Sequence, residues 1–308
     1  MILRPLSPLD FQELKPFVLH QKYRLCYYSL PSILTWCNEF YKPYGAIEGN
    51  TLFLGTEYSE ETENRHLMLP LSPEEDYPPE TLRDLAVSLG FDKYRYVSEE
   101  YLDTYDRCRI DALFRISEQE ESEDYLYLTE DLSGLKGNKF SKKRNLVNQF
   151  QREYVNRDRV TVEPITSSSS KECIDFMSRW YEESHLDIDN DVDLICEREA
   201  IIQNLAHIDL LETRGILLRI DGDVCAFGIG GHITDDTAAL PYEKAYPRIK
   251  GLYQYFDKLC AEKLFEGYTY INKESDMGVP GIAKAKKSYR PVKRVKAYEL
   301  KLPAASGR

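Results

Sequence analysis

The order in which short strand-like and helix-like segments follow one another constrains the fold of this chain more than any single motif. In the second half, the pattern predicts a strand, two helices, a hairpin, a further strand, and then helix, strand, helix and strand. Asp221-Gly222-Asp223 supplies the turn residues of a tight hairpin. The last strand is predicted over 293–302. This order predicts an α+β (mixed α/β) fold, with a central, mostly antiparallel sheet flanked by helices.

The first half repeats this order in a weaker form. Strands are predicted on either side of Gly49-Asn50, and a helix over 79–89 ends at Gly90, a residue type that favours helix C-termini. The order is similar to that of GCN5-related (GNAT-like) acyltransferases, so two tandem GNAT-like domains are predicted. The expected divisions are an N-terminal domain over 1–134, a basic connector helix over 135–157 and a C-terminal domain over 158–308.

Charge is distributed unevenly along the chain. The 40 Lys and Arg residues face 52 Asp and Glu, and the net charge of -12 excludes a general nucleic-acid-binding protein. Two basic segments, 136–159 and 284–296, interrupt this acidic background. They predict a locally bound polyanion, such as a phosphate-rich cofactor or an RNA end. Solvated helix and strand faces are the alternative.

Cysteines, histidines and apolar runs exclude several other classes of protein. The seven cysteines are scattered singly, which predicts reduced thiols and neither a disulfide framework nor a zinc site. The five histidines show no metal-ligand spacing, so no metal is expected. No apolar run in the sequence approaches the ~20 residues that cross a bilayer. We therefore expect a cytoplasmic protein.

A strand-to-helix junction has the composition of a phosphate site. Arg248, Lys250 and Gly251 lie between a strand that ends near Glu243 and a helix that begins at Gly251. Free backbone N–H groups at a helix N-terminus attract phosphate, and GNAT-like enzymes hold the pyrophosphate of acyl-CoA at this junction. The junction therefore indicates a donor site, with a plain turn that carries surface charges as the alternative.

Polar and turn-forming residues are most concentrated over 270–291, directly after a predicted core strand. Such density at the end of a core strand is typical of a functional site. This stretch and residues 137–150 together resemble a bacterial family of soluble proteins related to the carboxyl-terminal catalytic domain of phosphatidylglycerol lysyltransferase. The matching positions are Lys142, Lys143, Arg144, Asn145, Asn148, Asn272, Glu274, Asp276, Gly278, Pro280, Gly281, Lys284, Lys286 and Tyr289.

The resemblance implies a tandem GNAT-like fold, as in the Fem peptidoglycan aminoacyltransferases, and transfer of an acyl or aminoacyl group. Lys273 stands where we expect Arg, which keeps the charge but loses the bidentate fork. The motif positions that would shape the site are Asn148, Asn272, Lys273, Gly278, Pro280, Gly281 and Tyr289. The residues expected to hold the phosphates of the donor are Lys142, Lys143, Arg144, Asn145, Arg248, Lys250, Gly251, Lys284 and Lys286.

Acyl transfer to an amine or hydroxyl needs a base for the proton of the acceptor and a proton source for the leaving group. Glu243 is the first candidate for positioning the acceptor or for the base, and Asp276 and Glu274 compete with it. Tyr253 or Tyr289 would return the proton to the leaving group. Three functions stay open: aminoacyl-tRNA-dependent transfer, acyl-CoA-dependent N-acyl transfer and a non-catalytic GNAT-like binding module. The basic segments favour aminoacyl transfer to a lipid, peptide or protein over the other two functions. The expected donor is aminoacyl-tRNA or, for the second function, acyl-CoA. No tightly bound cofactor is expected.

Overall fold

The computed structural model describes residues 1–59, 62–74, 77–186, 188 and 190–303. Across these ranges the strands are β1 (Arg4–Pro5), β2 (Tyr41–Glu48), β3 (Thr51–Tyr58), β4 (His66–Leu67), β5 (Lys93–Ser98), β6 (Arg115–Glu118), β7 (Asp124–Leu128), β8 (Val160–Pro164), β9 (Arg214–Ile220), β10 (Asp223–Thr234), β11 (Thr237–Ala245), β12 (Tyr270–Asn272), β13 (Lys293–Val295) and β14 (Ala297–Lys301). The α-helices in the same ranges are α1 (Phe11–Val18), α2 (Leu30–Thr35), α3 (Pro79–Leu89), α4 (Glu99–Thr104), α5 (Arg107–Asp111), α6 (Thr129–Gly134), α7 (Ser141–Glu153), α8 (Ser170–Glu183), α9 (Val192–Ala206), α10 (Leu252–Lys263) and α11 (Pro280–Lys287).

The strands form two sheets that repeat one topology. Among the described residues each sheet has seven strands, in the orders β1-β2-β3-β4-β5-β14-β6 and β8-β9-β10-β11-β12-β7-β13. In both sheets the fourth and fifth strands run parallel, and all other neighbours are antiparallel. The helices match as well, because α3 joins β4 to β5 as α10 joins β11 to β12. The predicted mixed α+β fold with two tandem GNAT-like domains is confirmed.

Each half of the chain contributes one strand to the sheet of the other half. β7 lies between β12 and β13, and β14 lies between β5 and β6. The single strand predicted over 293–302 is therefore wrong, because this segment divides at Lys296 into β13 and β14, which belong to different sheets. Strand pairing thus crosses the predicted domain divisions, which otherwise stay a prediction.

The basic connector is shorter than predicted and packs on the second domain. Its helix α7 begins at Ser141, after Leu135 and Gly137, whose φ angles of 47° and 81° interrupt right-handed helix. The Phe150 ring of α7 lies 4.9 Å from the Tyr255 ring of α10. The helix is therefore part of the second domain's surface rather than a free linker.

Alternation along β10 gives the second sheet two distinct faces. The Phe227 ring packs 5.8 Å from Phe176 of α8. At the next residue, Gly228, a Cβ would lie 3.2 Å from the Phe256 ring of α10. We call these the α8 face and the α10 face. Lys244 of β11 pairs with Phe227, and Glu243 pairs with Gly228, so these two β11 side chains lie on the α8 and α10 faces respectively.

Candidate active site

The parallel strands β11 and β12 pair briefly and then part. Their register runs over three residues, from Thr237 opposite Tyr270 to Ala239 opposite Asn272. β12 ends at Asn272, whereas β11 continues to Ala245. The gap between their carboxyl ends, which we call the cleft, is bordered by the second half of β11 and by the turn that begins at Lys273.

A buried ion cluster crosses the cleft on the α10 face. Lys273 Nζ lies 2.8 Å from Glu243 Oε2 and 2.7 Å from Asp257 Oδ1. Burial raises the pKa of Glu243 to about 7, although the Lys273 ammonium opposes that shift. Burial acts to lower the pKa of Lys273, but Asp257 and Glu243 outweigh it and raise that pKa above its usual range. The cluster ties β11, α10 and the turn after β12 together.

Glu274, the next residue, is assigned to the α8 face, because Glu197 and Lys244 of that face act on its carboxyl group. Its hydrogen bonds are made by its backbone, and the ion pairs within the described ranges of the chain do not involve its carboxyl group. Burial raises the pKa of Glu274 to about 8. Asp124 and Glu197 add to this shift, whereas Lys286 and Lys244 oppose it. Glu274 is thus a half-buried carboxyl group that titrates near neutral pH.

The wall of the cleft on the α8 face is polar and aromatic. Lys244 Nζ lies 2.8 Å and 2.9 Å from the carboxylate oxygens of Glu197, and 4.5 Å from the Trp180 ring centroid. The Tyr181 hydroxyl donates to Glu197 at 3.1 Å, and Trp180 Nε1 donates to the carbonyl oxygen of Ala245 at 2.8 Å. These contacts fix a surface that can orient a polar acceptor.

Asn272, at the end of β12, joins the cleft to the first half of the chain. Its Nδ2 donates to Asp124 Oδ2 at 2.7 Å and to the carbonyl oxygen of Arg24 at 2.8 Å. Its Oδ1 accepts from the backbone N–H of Glu274 at 2.7 Å. Asp124 also accepts from the backbone N–H of Cys26 at 2.6 Å. These hydrogen bonds of Asn272 hold the turn that follows β12 against the first half of the chain.

Asp276 stabilises the turn between β12 and α11. It accepts hydrogen bonds from the backbone N–H of Gly278 at 3.0 Å and from the Tyr125 hydroxyl. Burial favours the protonated carboxyl, but these hydrogen bonds outweigh it and lower the pKa of Asp276. Gly278 adopts a φ of 71°, Pro280 begins α11, and Gly281 is exposed. A carboxylate held in this way is a poor proton acceptor near neutral pH.

The two basic segments meet in the fold. Lys143 Nζ of α7 lies 2.7 Å from Ser288 Oγ and 3.6 Å from the Tyr289 ring centroid. Burial lowers the pKa of Lys143. Further out, the exposed residues of α7 and α11 include three lysines without an ion pair in the described part of the chain. These three, Lys142, Lys284 and Lys287, form what we call the basic surface. Asn145 and Asn148 of α7 are also exposed.

Two arginines predicted to hold phosphates have other partners. Arg144 donates to the carbonyl oxygen of Gly137 at 2.6 Å and also to that of Leu135, so it closes the loop before α7. Arg248 forms an ion pair with Glu183. These contacts give each arginine a structural role, and phosphate binding by them stays a prediction.

Gly251 is required by helix packing. Its φ is 84°, and a Cβ there would lie 2.3 Å from the backbone oxygen of Leu146 in α7. The predicted phosphate seat is therefore covered on one side, while Lys250 next to it is exposed. Tyr253, in the first turn of α10, is half-buried, and burial raises its pKa to about 12.

Asp257, Glu197 and Lys244 lie at the candidate site, and sequence reasoning missed them. Asp257 is 2% exposed, and it lies on the buried side of α10 beside Phe256 and Cys260. A charged residue within the apolar stripe of a helix is a recognisable signal. Glu197 and Lys244 lack such a signal, because their pairing depends on how α9 packs against β11.

Known proteins resemble this chain in sequence and in fold. Residues 65–301 match the family described as phosphatidylglycerol lysyltransferase, C-terminal. The chain belongs to this family. The expected relation to that catalytic domain is confirmed, and membership supports an acyltransferase-type activity. No curated protein matches the chain in sequence.

Solved structures extend the comparison. A conserved protein of unknown function from Bacteroides thetaiotaomicron VPI-5482 is 27% identical, with a TM-score of 0.86 over 98% of this chain and 100% of that one. The C-terminal domain of a protein described as a putative lysylphosphatidylglycerol synthetase from Agrobacterium fabrum is 16% identical, with a TM-score of 0.62 over 94% and 91%. A tandem GNAT protein from the clavulanic acid pathway is 9% identical, with a TM-score of 0.48 over 99% of both chains.

Among the described helices, none combines the length and the apolar character needed to cross a membrane.

Proposed function

We propose that the protein transfers an activated aminoacyl group from a tRNA end to an amine or hydroxyl acceptor bound in the cleft. The observation that carries this proposal is Glu274, a half-buried carboxyl group at the cleft whose pKa burial raises to about 8. A general base works best when its pKa lies near the working pH. An ordinary surface carboxylate is too weak a base for this step.

Glu274 would accept the proton that the acceptor loses as it attacks the ester carbonyl carbon. A new C–N or C–O bond forms, the ester bond to the ribose breaks, and the departing ribose oxygen takes a proton from Tyr253. Glu274 then releases its proton to solvent, and Tyr253 regains one. Tyr253 is protonated at neutral pH, as an ordinary tyrosine is, and burial raises its pKa further to about 12, so it has a proton to return. Backbone N–H groups of β11 beyond Ala239 have no partner in β12, and they would stabilise the oxyanion.

Glu243, the first candidate from the sequence, is better suited to positioning. Its carboxylate is bound by Lys273 on the α10 face, away from the polar wall formed by Lys244 and Glu197. Although burial raises the pKa of Glu243 to about 7, the Lys273 ammonium stabilises its carboxylate form and so weakens Glu243 as a proton acceptor. We therefore assign the base to Glu274 and the alignment of β11 to Glu243.

The basic surface supports a polyanionic donor. Lys142, Lys284 and Lys287 are exposed on α7 and α11, in a chain with a net charge of -12. Acyl-CoA has less support as donor, because Arg248 is paired with Glu183 and Gly251 is covered by α7. A binding module without catalysis would have no need for a carboxyl group that titrates near neutral pH.

Transfer of label from tRNA charged with radiolabelled amino acids to an extract of lipids and peptides tests this proposal. Glu274→Gln keeps the shape of the side chain and removes the proton acceptor, so we expect a rate lower by roughly 10²–10⁴-fold. Glu266→Gln, at an exposed position of the same domain, is the matched control and should not change the rate.

Equal rates for Glu274→Gln and the wild type would remove Glu274 from the mechanism. If the protein transfers label from acetyl-CoA and not from charged tRNA, the donor is acyl-CoA and not aminoacyl-tRNA.

A further inference from the structure

The ammonium group of Lys286 closes the turn that follows β12. Lys286 Nζ lies 2.5 Å from the carbonyl oxygens of Lys273 and of Ser275, and 3.2 Å from that of Glu274. An ammonium has three N–H donors, which suits three acceptors. Successive carbonyls of an extended strand point to opposite sides, so they cannot converge on one group. Lys286 therefore fixes a turn at the residue where β12 ends.

This turn determines where two functional side chains point. Glu274 has a φ of 58°, a left-handed conformation that residues other than glycine seldom adopt and that the surrounding structure must maintain. With this geometry Lys273 reaches Glu243 on the α10 face. The carboxyl group of Glu274 instead interacts electrostatically with Lys244 and Tyr242 of β11, on the α8 face.

Lys286 is also the point where α11 is attached to the sheet. None of the residues of this helix is fully buried. The Tyr127 hydroxyl of β7 donates to the backbone carbonyl of Lys286 at 2.9 Å, so both ends of this lysine are held. Lys284, two residues earlier, is exposed and belongs to the basic surface. One helix thus carries an inward lysine that binds backbone and an outward lysine that faces solvent.

We infer that Lys286 is a positioning residue, which holds Glu274 on the α8 face of the cleft by binding the carbonyls around it. In this role it acts through Glu274, whereas the role expected from the sequence is to hold the phosphates of the donor. This inference rests on the proposed function, because it concerns the place of the base. Its test, however, needs no substrate.

The test uses two effects of opposite sign on the titration of Glu274. If Lys286 acted only as a nearby charge, Lys286→Met would raise the pKa of Glu274 further, because a positive charge favours the carboxylate. If Lys286 positions Glu274, its loss releases the turn, the carboxyl group reaches water and its pKa falls toward the ordinary value for glutamate. The other groups that face Glu274 keep their identity in this variant, namely Cys26, Asp124, Glu197, Lys244 and Tyr242.

The measurement is a carbon-13 NMR titration of the Glu274 side-chain carboxyl, whose signal is assigned by its loss in Glu274→Gln. We expect the pKa to fall in Lys286→Met and to stay at about 8 in Lys284→Met, the control on the same helix. Should Lys286→Met fail to fold, Lys286→Arg keeps the charge but places a planar guanidinium at the three carbonyls, and we expect a lower pKa there as well.

A pKa in Lys286→Met that equals or exceeds the wild-type value would overturn the inference, as would an unchanged pKa in Lys286→Arg. A fall in pKa together with full transfer activity in Glu274→Gln would leave the positioning role intact and refute the proposed base.

Discussion

Lys273 and Glu274 are consecutive in the chain, yet they serve opposite faces of the second sheet. Lys273 binds Glu243 and Asp257 at 2.8 Å and 2.7 Å on the α10 face. Glu274 lies in the environment of Glu197 and Lys244 on the α8 face. A single turn thus separates an ion cluster that holds the cleft together from a carboxyl group that can exchange a proton.

The ion cluster should be important for stability. Lys273→Met leaves Glu243 and Asp257 buried without a cation, and breaking a buried pair in this way costs roughly 3–5 kcal/mol in the free energy of unfolding. Lys273→Arg keeps the charge and should lose only a small part of this amount. Urea unfolding measures both variants. A loss for Lys273→Met below ~1 kcal/mol, the scale of exposed pairs, would show that the cluster does not stabilise the fold.

The exchanged strands should make the two halves depend on each other. A fragment over 1–157 lacks β14 between β5 and β6, and a fragment over 158–308 lacks β7 between β12 and β13. Each fragment then exposes two unpaired strand edges and part of its core. We expect neither to show a cooperative thermal transition by circular dichroism, and co-expression to restore one. A cooperative transition in either fragment alone would contradict the structural role of the exchange.

This exchange also shows where sequence patterns stop being informative. The alternation of apolar residues correctly predicts β7 over 124–128 and indicates strand character over 293–302. Neither pattern specifies a partner strand, because pairing depends on contacts far apart in the chain. The break at Lys296 carries no turn signal, so the pattern predicts one strand where the structure has two, in different sheets.

The basic surface should bind RNA in a salt-dependent manner. The triple variant Lys142→Ala/Lys284→Ala/Lys287→Ala removes three exposed cations, so its affinity for tRNA should fall. The slope of log affinity against log salt should decrease by roughly 0.7–0.9 for each phosphate that no longer meets a lysine. Fluorescence anisotropy with labelled tRNA measures both quantities.

Lys171→Ala/Lys263→Ala is the control for this surface, because it removes exposed lysines elsewhere on the same domain. Equal losses of affinity in the control and in the triple variant would show that tRNA is attracted by charge in general and not by this surface.

For the site, residue types and spacing identify the right segments but not the right roles. The density of polar and turn-forming residues points to the stretch after β12, and Glu274 and Asp276 are both candidates on that ground. Their different environments come from burial and from partners such as Tyr125 and Asp124, which neither spacing nor composition specifies. The sequence also does not show that Lys286 points inward and Lys284 outward, because the two lysines differ only in the face of α11 that they occupy.

The pH dependence of aminoacyl transfer tests the central claim most directly. Glu274 must be ionised to accept a proton, and burial raises its pKa to about 8, so the rate should rise with pH through that value and level off above it. Single-turnover loss of the aminoacyl group from charged tRNA, corrected for the rate without enzyme, is measured from about pH 6 to about pH 9, on either side of this pKa, for the wild type and for Glu274→Gln. We expect the rise in the wild type and a slow, flat profile in the variant. The same rise in Glu274→Gln would contradict the assignment of the base.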